Sequence, residues 1–368
     1  MNKAFAALNT LGSGSYGADD VHFLLRVLAI ETTDVQQSVE EKERLIQTRQ
    51  RHYSEMISQE HPPSNPHKAL YQQALARNGA RMAADVQALA LALHERYNGA
   101  SIALVSFVRA GLPLGVLLRR ALVERGRNVR HYGISIIRDR GIDNVALEAI
   151  IKAHGAENIV FVDGWTGKGA ISGQIRDSLA GDSRFPSEPR LVVLADPCGR
   201  AWLAASAEDW LIPSGILGAT VSGLVSRSIW PLEPGLHGCV VYDHLAAHDE
   251  TMNFIHSIEI ERAHLPPQVA AHPWTPTQAL ALQQRAEAAV ERVSTRFSVS
   301  SPNRVKPGIA EATRAVMRRV PDHVLVRSRA DQNVQLLMHL SRQANIEVEE
   351  VGDELGPYRA VTVIRSVR

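Results

Sequence analysis

The stretch 159-IVFVDGWTGKGAI-171 ends an apolar run on a carboxylate, Asp163, and places Gly164, Trp165, Thr166, Gly167, Lys168 and Gly169 ahead of a helical pattern opening at Ala170. Glycine-rich backbone between a strand and a helix frees N–H groups to form an anion nest, and the positive end of the helix dipole adds to it. The amides of 166–170 and the Thr166 hydroxyl are expected to hold a phosphate there, with Lys168 either reaching it or pointing to water. A Walker loop is excluded, because Val162 and Gly169 stand where its first glycine and its hydroxyl are needed. A dinucleotide fingerprint is excluded for want of G-x-G-x-x-G. A second strand-turn-helix pattern, 105-VSFVRAGLPLGVLLRRAL-122, carries Arg109, Ala110 and Gly111 in its turn. The loop Arg138-Asp139-Arg140-Gly141-Ile142-Asp143 has two arginines and two carboxylates, which suit a polyanion and a metal or else pair with one another in solvent. A thiol is also available, since Cys198 in 195-ADPCGRAW-202 lies in a turn after a strand. As a nucleophile it would need a base, drawn from His237, His244, His248 or His256, and an oxyanion hole. No papain-like or caspase-like signature surrounds it, so Cys198 is expected not to be a protease nucleophile but part of a pocket wall or an inert packed cysteine.

These residues need a scaffold, and the period of the chain supplies one. From about residue 100, short β-branched runs at 101–108, 129–137, 159–162 and 191–196 alternate with helical stretches at 113–125, 144–154 and 170–180. That alternation predicts an α/β domain with a doubly wound parallel sheet, whose function lies in loops at the carboxyl ends of its strands. Weaker strand patterns follow at 216–229 and 238–245. Before it, residues 1–98 read as a helical region, with helices from Asp19, over 39–56 and over 80–97, a breaker at 61-HPPSNPH-67, and a cap at Asn98-Gly99. The α/β domain is assigned to 99–275, closing in the proline-rich 264–278; a helical linker to 276–302; and a small α/β sandwich to 303–368. The chain of 368 residues is 45% hydrophobic with a formal charge of +1, which excludes a disordered chain and a chain-wide basic field. Two cysteines give no disulfide framework, fifteen histidines show no metal spacing, and no ~18-residue apolar run suits a membrane span. A cytoplasmic protein without membrane contact is expected.

The loop at 163–170 resembles the ribose-5-phosphate loop of the type I phosphoribosyltransferases, and the turn at 109–111 resembles their pyrophosphate loop. The resemblance implies Mg²⁺-assisted transfer of ribose 5-phosphate between pyrophosphate and a nitrogen nucleophile. Asp163 would then orient the ribose hydroxyls, Arg109 with Ala110 and Gly111 would hold pyrophosphate, and Arg138 and Arg140 would lie in a hood over the site. Gly164 stands where those enzymes carry a second acid, which favours a non-catalytic phosphoribosyl or nucleotide sensor as the alternative. The segments 12-GSGSY-16, 42-KERLIQ-47, 52-HYSEM-56 and 210-WLIPSGILGATVSGLVSRSI-229 resemble the StiP family, found with tellurium-resistance and stress-response gene clusters. That family joins a phosphoribosyltransferase-type domain to a Pelota-like RNA-binding domain and also carries the label cysteine protease, the third reading. For the tail, 306-KPGIAEATRAVMRR-319 and 355-LGPYRAV-361 carry the Pelota-like resemblance, implying RNA contact through Lys306, Gly308, Glu311, Arg314, Arg318, Arg319 and Gly356. Residues 304–329 hold seven basic and two acidic side chains, a local basic patch or a solvated helix face. The partners implied are phosphoribosyl pyrophosphate or a nucleotide-like small molecule, RNA, and a second copy of the chain in a homodimer.

Overall fold

The computed structural model describes residues 10–35, 39–97, 101–231, 233–266 and 275–366. Its central sheet has six parallel strands: β1 (His22–Phe23), β2 (Ile102–Phe107), β3 (Val129–Ile134), β4 (Ile159–Val162), β5 (Leu191–Ala195) and β6 (Leu203–Ser206). Their order is β1-β3-β2-β4-β5-β6. All residues of β2, β4 and β5 are buried, which is why these strands read as unbroken apolar runs: a parallel strand is covered on both faces. The helices around it are α1 (Val39–Gln47), α2 (Asn65–Arg96), α3 (Gly111–Glu124), α4 (Asn144–His154), α5 (Ala170–Leu179) and α6 (Thr251–Ala263). Ile102 and Leu104 enter one core with α2, α3 and α6, while Ala103, Val105 and Phe107 enter another with α4 and α5.

The expected helix from Asp19 is instead extended chain. Val21, Phe23 and Leu25 enter the first core and Leu24 the second, and only period-two alternation sends consecutive apolar residues to opposite sides. The helix expected over 39–56 stops at Gln47; Arg49 takes a φ of +58°, and Met56–Ile57 pairs in parallel with Asp34–Val35. The breaker at 61–67 proves to be a helix start. Ser64 accepts a hydrogen bond from the His67 amide, Pro66 sits in the first turn where no N–H is required, and α2 absorbs the helix expected at 80. Residues 216–229 form one 3-10 turn at Ala219–Val221 and a loop rather than a strand, because Gly223 and Leu224 both take positive φ. The Asn98-Gly99 cap and residues 267–274 of the proline-rich stretch lie outside the described residues.

Helix α7 (Pro276–Arg296) begins at a capping box of Thr275 and Gln278 and leads to a second sheet. That sheet consists of β7 (Val305–Pro307), β8 (Pro321–Val326), β9 (Val348–Glu350) and β10 (Ala360–Ile364), ordered β7-β10-β8-β9. Val324, Val326 and Ala360 pack towards α8 (Ile309–Arg318) and α9 (Gln335–Gln343), while Leu325, Val361 and Val363 pack towards α7. The second sheet docks on the carboxyl ends of β4 and β5. Asp209, beyond β6, accepts from the Ile309 amide at 2.9 Å and the Arg359 amide at 2.8 Å, and the Tyr358 hydroxyl donates to the Gly167 carbonyl at 3.0 Å.

Candidate functional site

Strand β5 runs out at Ala195, and the next turn sets Asp196 and Cys198 beside the loop that leaves β4. The Thr166 amide donates to the Ala195 carbonyl at 2.9 Å, which fastens the two strand ends together. The Thr166 hydroxyl donates to Asp196 Oδ1, and the Ala201 amide donates to Asp196 Oδ2 at 2.6 Å. The Cys198 thiol lies 3.2 Å from Thr166 Oγ1 and 3.4 Å from Asp196 Oδ1. Its other neighbours are apolar: Cys198 is 2% exposed and shares a cluster with Ala286 and Ala289 of α7, Tyr358 and Val361. Burial, followed by the Asp196 charge, pushes the thiol well above its ordinary pKa, so the sulfur is held protonated. None of the four histidines considered from sequence hydrogen-bonds it. His237 meets Ser135, His244 meets the Glu60 carbonyl, His248 meets Lys68, and His256 is exposed. The polar partners of Cys198 are Thr166 and Asp196. Cys239 is fully buried, and burial pushes its thiol up to about 12.

The two glycine turns singled out in the sequence are brought together. A Cβ on Gly111 would lie 2.2 Å from the Val162 carbonyl oxygen and one on Gly164 2.9 Å from the Ala110 carbonyl oxygen, so backbone-to-backbone approach requires glycine at both. Part of the expected nest is used within the molecule. Asp163 Oδ1 accepts from the Gly164 amide at 2.8 Å, Thr166 is used as above, and Lys168 Nζ donates to the carbonyls of Pro302 and Val305. Gly167 lies under Pro307 and Glu311, Gly169 takes a φ of +81°, and Ala170 opens α5. Burial pushes the Asp163 carboxyl up to about 7. Arg109, which is buried, is bound to Glu60 at 2.5 Å and to the Val225 carbonyl at 3.0 Å. The Arg138 amide donates to the Tyr53 hydroxyl, whereas Arg140 pairs with Glu55 and lies over the Trp230 ring.

The expected RNA contacts turn inward, except for Gly356, which packs against α7 near Arg285. Gly308 opens α8 beside Asp209; Arg314 lies over the Trp165 ring; Arg318 pairs with Glu60 at 3.0 Å; and Arg319 grips Glu43 through two bonds of 2.5 and 2.8 Å. Lys306 is 7% exposed and Glu311 hydrogen-bonds to Trp165. Together these form a charged seam between the two sheets' domains. Sequence reading missed its acids, Glu43, Glu60 and Asp209, because each meets its partner only through the fold. The loop does not suit Mg²⁺, which takes a near-octahedral set of oxygens: Gly164 supplies no second carboxylate, and Asp163 and Glu311 lie among Arg314 and other cations. Among the described residues no three or more His, Cys, Asp or Glu gather as a metal site, and no helix is long and apolar enough to cross a membrane.

Residues 14–259 match the family described as tellurite-like stress resistance cysteine protease StiP, and residues 284–366 match the PELOTA RNA binding domain. A protein of Acinetobacter baylyi (strain ATCC 33305 / BD413 / ADP1) named cysteine protease StiP is 49% identical over 96% of this chain and 94% of its own length. Among solved structures, a mutant hypoxanthine phosphoribosyltransferase from Trypanosoma cruzi with the product IMP is 15% identical, with a TM-score of 0.26 over 38% of this chain and 68% of that one. A second, an asparagine mutant made in the analysis of an invariant aspartic acid in HPRTs, is 13% identical, with a TM-score of 0.26 over 36% and 79%. Likeness at that level establishes neither fold nor activity. The transferase function read from the two loops is therefore corrected: the family and the curated relative are named for a cysteine protease. With one family description spanning residues 14–259 and a full-length relative alike at nearly half its positions, the chain belongs to the StiP family.

Proposed function

We propose that this chain is a cysteine protease of the stress-resistance kind, with Cys198 as its nucleophile, and that the arrangement described above is its closed form. The placement of Cys198 carries the reading. It lies in the turn after a sheet strand, beside a carboxylate and a hydroxyl, whereas Cys239 is enclosed in the apolar core. Asp196 Oδ1 is placed to take the thiol proton, and Thr166, donating to the same oxygen, holds the carboxylate in position. As sulfur attacks a peptide carbonyl, an S–C bond forms and the proton passes to Asp196; collapse breaks the C–N bond and the proton leaves on the amine. Water then cleaves the thioester, releasing the acid and restoring the thiol. The closed form holds this chemistry off, because α7 and Tyr358 bury the sulfur and keep it protonated. Withdrawal of the C-terminal domain removes burial, the largest cause of that shift, and admits a substrate.

The C-terminal domain, of the PELOTA kind, would bind RNA on its outer side. Exposed Arg285 and Arg292 line an open groove with Arg327, Asp353 and Gly356, so phosphates can be met there without disturbing the seam. The test is peptide-library cleavage by the chain carrying Asp209→Ala, which loosens the docking of the C-terminal domain, alone and with Cys198→Ala or Cys239→Ala added. Loss of cleavage with Cys198→Ala and retention with Cys239→Ala is expected. Equal activity in Cys198→Ala would remove Cys198 from the mechanism.

A further inference from the structure

The seam holds more positive charge than its acids can match. Segment 53–60 is its spine. The Tyr53 and Met56 carbonyls accept from Arg227, the Tyr53 hydroxyl accepts from the Arg138 amide, Ser58 Oγ accepts from Lys42 Nζ at 2.6 Å, and Glu60 takes Arg109 and Arg318. From the other side, β7 and α8 bring in Lys306, Arg318 and Arg319. Two of its acids are committed, Glu43 to Arg319 and Glu60 to its two arginines, while the buried Glu311 faces Arg314, Lys306 and Arg138 together. Lys42, Arg138, Lys168, Arg227 and Lys306 form no ion pair among the described residues, and the single charge of Glu311 is shared among Arg138, Lys168 and Lys306. Of these, Lys306 is 7% exposed and its ammonium has no hydrogen-bond acceptor among those residues; the buried Arg138 Nε likewise has none.

Their charges act on one another. Burial pulls Lys306 down to about 7, with Arg138, Arg319 and Lys168 adding to the effect and Glu311 opposing it. Burial likewise pulls Lys42 down to about 8, helped by Arg227, Arg319 and Arg318 and opposed by Glu43. Burial lowers Arg227, and Tyr53 and Tyr242 oppose that shift. A cation out of water is costly unless an anion or a full set of acceptors completes its shell; backbone carbonyls serve Arg227, but the orphaned Arg138 Nε and the one Glu311 charge shared among several cations leave the group incomplete.

We propose that the seam is a binding site for a small oligophosphate-type anion, held between the domains by Lys42, Arg138, Arg227 and Lys306. Guanidinium and ammonium groups converging from several directions suit the tetrahedral oxygens of phosphoryl groups. Several unmatched cations call for more than one anionic charge. Burial sets the size: Lys42 and Lys306 are each 7% exposed, within reach of a small anion but not of a duplex. Neutralising both sides at once, the anion would draw the domains together. This inference is independent of the role given to Cys198.

Sodium tripolyphosphate is the probe, titrated calorimetrically into the full-length chain, with sodium sulfate at matched ionic strength as control and thermal unfolding followed alongside. Stoichiometric binding and a rise in unfolding temperature beyond that in sulfate are expected. Lys306→Met should raise the unfolding temperature of the free chain, by removing a repelled buried charge, and weaken tripolyphosphate by about tenfold or more. Lys42→Met provides a second variant on another element, with the same expected loss, and Arg184→Ala, at an exposed pair with Glu148 and Asp182 outside the seam, should bind as the wild type does. The proposal is overturned by no binding beyond the sulfate control, by unchanged affinity in both lysine variants, or by an equal loss in Arg184→Ala. Single-stranded RNA displacing tripolyphosphate from this seam with higher affinity would overturn it in favour of RNA.

Discussion

Replacing Glu60 by glutamine cuts the tie between the two domains at its most charged point. One carboxylate oxygen accepts from Arg109 at 2.5 Å and from Arg318 at 3.0 Å, and the other accepts from the Ala219 amide at 2.8 Å. The Arg109 side chain is 5% exposed, so removing the acid leaves a guanidinium that cannot return to water without unfolding its turn. Breaking a buried pair from one side costs about 3–5 kcal/mol. The lower part of that range is expected, because Arg318 at 29% exposure can turn partly outward. The pair of guanidiniums holds the Glu60 carboxyl far below its ordinary pKa despite burial. A depressed carboxylate contributes stability that is fully present above its unfolded pKa and lost as pH falls towards the folded one. The gap between wild type and Glu60→Gln should therefore be full at pH 7 and shrink below about pH 4.3. Urea unfolding of both chains by circular dichroism at several pH values measures it. A loss under about 1 kcal/mol at pH 7, as for an exposed pair, or a gap that does not shrink in acid would refute the reasoning.

Asp163→Asn should stabilise the chain at pH 8 by up to a few kcal/mol, because a carboxyl raised to about 7 loses stability as pH climbs from ~4 to 7; the advantage should vanish below pH 4 in the same urea series. Asp209→Ala removes the acceptor for the Ile309 and Arg359 amides and should cost about 3 kcal/mol, read as faster limited proteolysis between α7 and β7. Gly111→Ala forces a Cβ to 2.2 Å from the Val162 carbonyl and should yield little soluble protein, whereas Gly126→Ala, with open space around it, should express normally at a modest cost for its φ of +76°.

The sheet was legible where local chemistry and global burial agree. Helix α4 falls on the residues expected, 144–154, because Asp143 accepts from the Ala146 amide at its start and Gly155 takes a φ of +79° at its end. Strand β1 was not, since its apolar residues are spaced like a helix and only the presence of two cores makes them extended. Strand β7 has three residues, two of them lysine and proline, and is held in the sheet by pairing with β10. The site was half legible. Asp163, Cys198 and the two glycine turns stood out by type and position, but Thr166 lies 32 residues from Cys198, and Glu60 lies 258 from Arg318. No local pattern announces such pairs. The basic run 304–329 was visible as charge, yet its partners in segment 53–60 turn it from a surface into a seam.

Alkylation of Cys198 tests the closed-thiol account most directly. Iodoacetamide would be applied at neutral pH to the full chain carrying Cys239→Ala, with the rate at Cys198 followed by peptide mass mapping, and then to the same chain with Asp209→Ala added to loosen the docking of the C-terminal domain. The predicted result is labelling slower than that of a free thiol of pKa ~8.5 in the first chain. In the second, labelling should be at least about tenfold faster, with peptide cleavage rising in step. Fast labelling in the tightly docked chain, or equal rates in both, would contradict it.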